Sequence, residues 1–331
     1  MTETSLQHEP VALPERSLGR IARSVAGYGL LTGLMFIMNM FVFIPAALFQ
    51  CAMRNGRRAA WITLALALAL TALFAVQASR VPGATADDGR MIVAAVAVLT
   101  LSIALPALAA LPLVERGESF GTVLMLAAIG GAIGLVVTEA GMQALAGFSP
   151  YAAQLAQARI YYDHQKFPAA YVSGMQKFLD VFLTIMPAAI LMLVIVAFVL
   201  SLALFSRLES RRSGHERGSV YLFRNLSLPD WVLFAFLFGG ITPLASGLLQ
   251  KVAANVLAVV VFLYFLQGLA IFRSMLVSLG VSLLGTIAGL LIIAVLLSVT
   301  LLPLSIAGLF DSFFDFRHFR RKDDSHEGHS D

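Results

Sequence analysis

Cysteine is almost absent from this chain, and charge is scarce. The single cysteine, Cys51, excludes a disulfide within the chain and a cysteine-built metal site. Near the end of an apolar segment it reads as a small packing residue. Asp, Glu, Lys and Arg supply 13% of the 331 residues, against about 25% in a soluble domain. Apolar residues supply 59% and mean hydropathy is +0.85. So few charges cannot clothe a water-exposed surface, which excludes an ordinary soluble domain. Catalytic signatures are missing as well. There is no Gly-rich phosphate loop, no HExxH and no GxSxG, and no carboxylate–histidine pair at membrane depth. The chain is therefore expected not to be an enzyme, and no cofactor is implied. His326 and His329 stand in an acidic tail and offer too few ligands for a metal. Glu3, Glu9 and Glu15 near the start replace the basic region a signal peptide needs, so no cleaved signal is expected and the first apolar segment should stay as an anchor.

What the chain does have is apolar length. Several runs reach about 18–20 residues, enough to cross a hydrocarbon core of about 30 Å. The net charge of +4 comes from arginine in short loops, which is what membrane orientation requires and not a nucleic-acid footprint. The strongest such run holds Arg207, Arg211, Arg212, Arg217 and Arg224 against Glu209 and Glu216, between two apolar segments. It is expected in the cytoplasm, and it fixes the direction of every span around it.

The organisation expected is a cytoplasmic, disordered segment 1–17, a six-span bundle 18–206, a basic loop 207–229, three further spans 230–303, and an amphipathic segment with a charged tail 304–331. The long apolar stretch 24–53 is divided at Asn39 and Pro45 into helices 18–37 and 40–54, which returns Arg54, Arg57 and Arg58 to the cytoplasm. Further spans are expected at 61–78, 91–113, 120–146, 178–206, 231–249, 252–272 and 280–302. Gln250-Lys251 is the expected outer turn, and Pro303 the expected end of the last span. Ser149-Pro150 starts an expected outer amphipathic helix carrying Tyr151, Leu155, Ala158 and Tyr162 on one face. The fold class is thus all-α, a polytopic membrane bundle of about nine spans, with eight as the alternative. Nine spans place the carboxyl terminus outside, against the pull of Arg317, Arg320, Arg321 and Lys322.

Glu139 is the one carboxylate well inside an expected span. A charge there costs about 2.5–3.5 kcal/mol, so it should face the bundle or water; the alternative is a carboxylate snorkelling to the outer interface. Gln143 follows at i, i+4. Asn39, Lys251 and Asn255 fall in the same outer half, so these five residues are candidates for an outer ligand site. Each amide taken alone is as readily helix-to-helix glue, at about 0.6 kcal/mol. Ala22, Ala26, Gly29 and Gly33 form a small-residue stripe on the first helix, either packed inside the bundle or docked to a partner.

Leu228-Pro229-Asp230-Trp231, then Asn255, then Tyr264–Phe272, then Gly308-Leu309-Phe310-Asp311 and Phe314-Asp315-Phe316-Arg317 occur in this order, preceded by loop segments 45–56 and 104–119. In these the chain resembles the YybS-like family of predicted bacterial membrane proteins. That family is similar in turn to the substrate-binding S components of energy-coupling-factor transporters. The resemblance implies an S-component-like bundle in the first six spans, with both termini of that bundle inside, a ligand site in its outer half, and small residues on the first helix facing a coupling subunit. The three added spans and the lack of a vitamin-specific motif depart from that plan. The leading expectation is a multi-pass protein of a bacterial inner membrane, transporter-like, binding a small solute from outside with a partner membrane protein. The alternatives are a non-transporting scaffold or assembly protein and, third, an intramembrane enzyme with a water-accessible cluster around Glu139.

Overall fold

A computed structural model of the chain describes residues 18–78, 80, 86–147, 149, 152, 153, 156, 169–213, 221–241, 244 and 246–314. Among the described residues every regular element is helical. The expected outer amphipathic helix beyond Ser149, the middle of the arginine loop and the two chain ends lie outside them, apart from isolated positions.

Helix α1 (Leu18–Ile37) ends where it was expected to. Asn39 adopts a positive φ of 56°. Its N–H donates to the carbonyl of Phe36 and that of Met40 to Met35, the pairing that closes a helix through a left-handed residue, a conformation Asn tolerates. A short turn, Phe41–Phe43, leads into α2 (Ile44–Asn55), with Pro45 in its first turn. At twelve residues α2 is about 18 Å long, too short to cross alone. All nine residues from Ile44 to Ala52 are buried, so it is a core helix with neighbours on every side. Helix α3 (Arg57–Ala78) turns back beside it. Cys51 Sγ lies 3.1 Å from Thr63 Oγ1, and Asn55 donates to Ser24 Oγ at 3.0 Å, so α1 begins where α2 ends.

Helices α4 (Ala86–Leu99) and α5 (Leu105–Arg116) form one span joined by a π turn, Thr100–Ala104. Pro106 sits in the first turn of α5, and Pro112 inside α5 without ending it. Gly117 in the left-handed conformation closes α5, and Ser119 opens α6 (Phe120–Ala146) by accepting the Thr122 N–H. A single long helix, α7 (Ala169–Ser213), follows, with Pro187 inside it.

One end of the bundle collects the arginines. Arg57 pairs with Glu115. Tyr221, buried, donates to the Val114 carbonyl at 3.4 Å and stands edge-on to Phe120. Burial, with the charge of Glu118 adding, pushes the Tyr221 phenol up to about 12, so it stays neutral at this end. Away from it, large apolar side chains such as Ile133, Val136, Leu73 and Leu145 are exposed around the bundle, the surface that lipid covers.

The last third departs most from expectation. Helix α8 (Val232–Gly240) has nine residues, about 14 Å, and stops far short of a span. Helix α9 (Gly247–Ser278) already contains Gln250 and Lys251, so they are helical and do not form the expected tight turn. The expected ninth span is split into α10 (Leu283–Val295) and α11 (Leu297–Phe314). Thr300 covers the break, donating to the carbonyls of Ile293 and Leu296 at 3.2 and 3.0 Å. Pro303 lies inside α11, in its second turn, and does not end the helix. Segment 304–314 is therefore the second half of α11, with Ser305, Gly308 and Asp311 buried on one face and Ile306, Phe310 and Phe313 exposed on the other.

Helices α9 and α11 run parallel. Gly268 abuts Leu304, Ser305 donates to Val261, and Gly308 abuts Tyr264. A Cβ at Gly268 or Gly308 would lie 2.0 Å from the opposing carbonyl oxygen, so only glycine permits this approach. Because α9 ends near Arg207 and Arg224, Phe314 lies at the arginine end too. Nine spans would have put Phe314 at the opposite end. Among the described residues six helices are long and apolar enough to cross a membrane: Arg57–Gln77, Gly89–Arg116, Phe120–Leu145, Thr184–Ser210, Gly247–Ser278 and Leu297–Phe314. Against about nine expected, α1 carries Arg20 and Arg23 in its opening turns, and α2, α8 and α10 are short.

Candidate functional site

Glu139 lies 19 positions beyond Phe120 along α6, about 28 Å from the arginine end. Thr138, beside it, is buried and donates back to the Gly134 carbonyl at 2.7 Å. Gly134 is where α6 meets the π turn; a Cβ there would reach 2.4 Å from Leu101. The extra residue of a π turn pushes one carbonyl outward, and such turns recur at functional sites. Here it carries the chain past α6 and opens a space on the far side.

That space is a cavity of about 210 Å³, bounded by α4, the π turn, α6 and α7. Its walls are mostly apolar, with Met91, Leu99, Ile103 and Val194 among them, and Asn39, Thr138 and Glu139 supply the polar atoms. One carboxylate oxygen of Glu139 accepts a hydrogen bond from Ser149, which in turn accepts the Ala152 N–H at 3.1 Å, so Ser149 opens a helical turn as expected. The other oxygen, Oε2, is buried without a hydrogen-bond partner among the described residues. A buried acceptor left unpaired costs about 1–3 kcal/mol, and a ligand with a donor group removes that cost.

The other candidates go elsewhere. Asn255 is engaged with the backbone of α7. Its Nδ2 donates to the Thr184 carbonyl at 2.6 Å, and its Oδ1 accepts the Ala188 N–H at 2.9 Å. These two groups flank Pro187 and are the pair an unbroken helix would join to each other. The amide thus splices the ladder where proline disturbs it, and it also donates to the Lys251 carbonyl at 2.8 Å. Gln143 and Lys251 are exposed and do not line the cavity. Of the five outer candidates, the structure joins Asn39 and Glu139. On α1, Gly29 and Gly33 are buried against Leu66 and Leu70 of α3, whereas Ala22 and Ala26 are exposed.

A second polar centre joins segments far apart in sequence. Gln267, fully buried, accepts the Leu228 N–H at 3.1 Å through Oε1 and donates to Asp311 Oδ2 at 3.1 Å through Nε2. Asp311 is 7% exposed. The Leu-Pro-Asp-Trp, Tyr264–Phe272 and Gly308–Asp311 segments meet here. Sequence reasoning placed Asp311 in an interfacial piece and so missed its burial; the signal was Gly308 three positions earlier, facing Gly268 across the helix contact.

Among the described residues no group of three or more His, Cys, Asp or Glu is placed to hold a metal. The family described as "Predicted membrane protein (DUF2232)" matches residues 25–312. No curated protein and no solved structure matches the chain.

Proposed function

The chain belongs to this family of predicted membrane proteins, and we propose that it is a non-enzymatic, transporter-like component of a bacterial inner membrane that takes up a small solute at the Glu139 cavity. The observation that supports this most is the unpartnered, buried Glu139 Oε2 in a mostly apolar cavity. Such a site favours a ligand with an apolar body and one cationic or hydrogen-bond-donating group. Arginines prefer the cytoplasmic side, so the cavity at the other end opens toward the outside. The S-component-like plan, with α1 to α7 as the solute-binding bundle, belongs to the same proposal. On it, the exposed face of α1 around Ala22 and Ala26 is where a coupling partner docks.

A second reading, a scaffold without a ligand, draws on a different observation. Asn255, Gly29 and Gly33 are engaged in packing within the chain, as in a bundle built for assembly alone. An intramembrane enzyme ranks third, because among the described residues Glu139 is the sole carboxylate or histidine lining the cavity. Thermal unfolding of the purified protein against a panel of small apolar amines and alcohols separates the first two. A binder raises Tm in proportion to its occupancy, and Glu139→Gln weakens it by roughly ten- to a hundred-fold. A binder held equally by both forms contradicts the assignment of the site.

A further inference from the structure

At the arginine end, a second hollow of about 380 Å³ runs between α7 and α9. Its walls are apolar, including Val196, Leu200 and Leu204 on α7 and Leu266 and Leu269 on α9. Arg207 and Arg273 stand in its lining, and Arg224 lies within electrostatic range of Arg273, as Arg207 does. Among the described residues neither Arg207 nor Arg273 is paired with a carboxylate. The Arg273 Nε is buried without an acceptor. Three guanidinium groups so placed repel one another, and the repulsion is strongest where water is excluded. An anion seated among them reverses the sign of that interaction.

We propose that this groove binds one anionic phospholipid, its phosphate held by Arg207 and Arg273 in the field of Arg224, and one acyl chain lying along α7. Guanidinium forks match phosphate oxygens in pairs, and basic pockets between helices at the cytoplasmic side recognise anionic headgroups. The apolar walls select a lipid over free phosphate. Eleven residues separate Arg207 from Val196, about 16 Å of helix, close to the hydrocarbon depth of one leaflet, half of about 30 Å. A headgroup at the arginines thus places its chain where the groove is apolar. The site is remote from Glu139 and stands whether or not that cavity takes a solute.

The test is native mass spectrometry of the full chain in detergent, titrated with phosphatidylglycerol or with phosphatidylcholine. Phosphatidylglycerol should bind as a single saturable adduct, and phosphatidylcholine at least ten-fold more weakly. Arg207→Gln with Arg273→Gln should weaken the phosphatidylglycerol adduct roughly thirty-fold. Arg58→Gln with Arg116→Gln removes as much charge from the same end and should change it less than about two-fold. Leu200→Trp fills the groove while keeping every arginine, and should also abolish the adduct; it decides the matter if the arginine double variant does not fold. Equal binding of the two lipids, equal loss in both double variants, or an adduct that survives Leu200→Trp overturns the proposal. So does full competition by millimolar glycerol phosphate, which would make this a site for soluble phosphate esters.

Discussion

Gln267 Nε2 donates to Asp311 Oδ2 at 3.1 Å in the middle of the α9–α11 contact. The same amide accepts the Leu228 N–H, so one side chain pins the start of the α8 segment and the end of α11 to α9. Both partners are buried, and neither has water to fall back on.

Replacing Gln267 by leucine keeps its bulk and leaves the Leu228 N–H and an Asp311 oxygen without that partner. Each such group costs about 1–3 kcal/mol, so Gln267→Leu should lower Tm in detergent markedly. Asp311→Asn keeps an acceptor and should cost clearly less. Comparison of the two thermal transitions checks this. Equal Tm for Gln267→Leu and wild type would show that the bridge does not hold these segments.

Gly308→Ala places a Cβ 2.0 Å from the Tyr264 carbonyl oxygen. Backbone, unlike a side-chain tip, cannot move aside cheaply, so α9 and α11 must separate, at about 1–3 kcal/mol or more. Gly27→Ala meets nothing within 4 Å and, with alanine the better helix former, should be neutral or slightly stabilising. Unfolding temperatures of the two variants should move in opposite directions or by very different amounts.

Ser213 and Phe314 should share one side of the membrane. Single cysteines at these positions in a Cys51→Ser background should both resist an impermeant maleimide in intact cells and both react once the membrane is opened. Reaction of Phe314→Cys alone in intact cells would restore the expectation of an outer carboxyl terminus.

The parts of the fold that were legible in sequence are those written by local chemistry. Asn39 and Pro45 mark the α1–α2 break because one tolerates a left-handed backbone and the other starts a helix. Helix α6 was expected at 120–146, where it lies. Breaks without a local marker were not legible. The π turn at Thr100–Ala104 follows from how Leu101 meets Gly134, and the break at Leu296 is covered by a threonine four residues on. Proline misled at Pro303, the expected end of the last span, which sits inside α11; the disturbance at Pro187 is spliced by Asn255 from another helix. For the site, sequence placed Glu139 and Asn39 in the outer half and the structure joins them at one cavity. Depth alone also grouped Asn255, Gln143 and Lys251 with them, since helix rotation, not depth, decides which residues share a wall.

The most direct measurement is native mass spectrometry of the protein as purified from its own cells, wild type beside Glu139→Gln. A solute held by the cavity should appear as a small-molecule adduct on the wild type, carry an amine or another donor group, and be lost or reduced at least ten-fold in Glu139→Gln at unchanged Tm. A wild type free of any such adduct, with Glu139→Gln fully able to replace it in cells, would contradict a solute site and favour the scaffold.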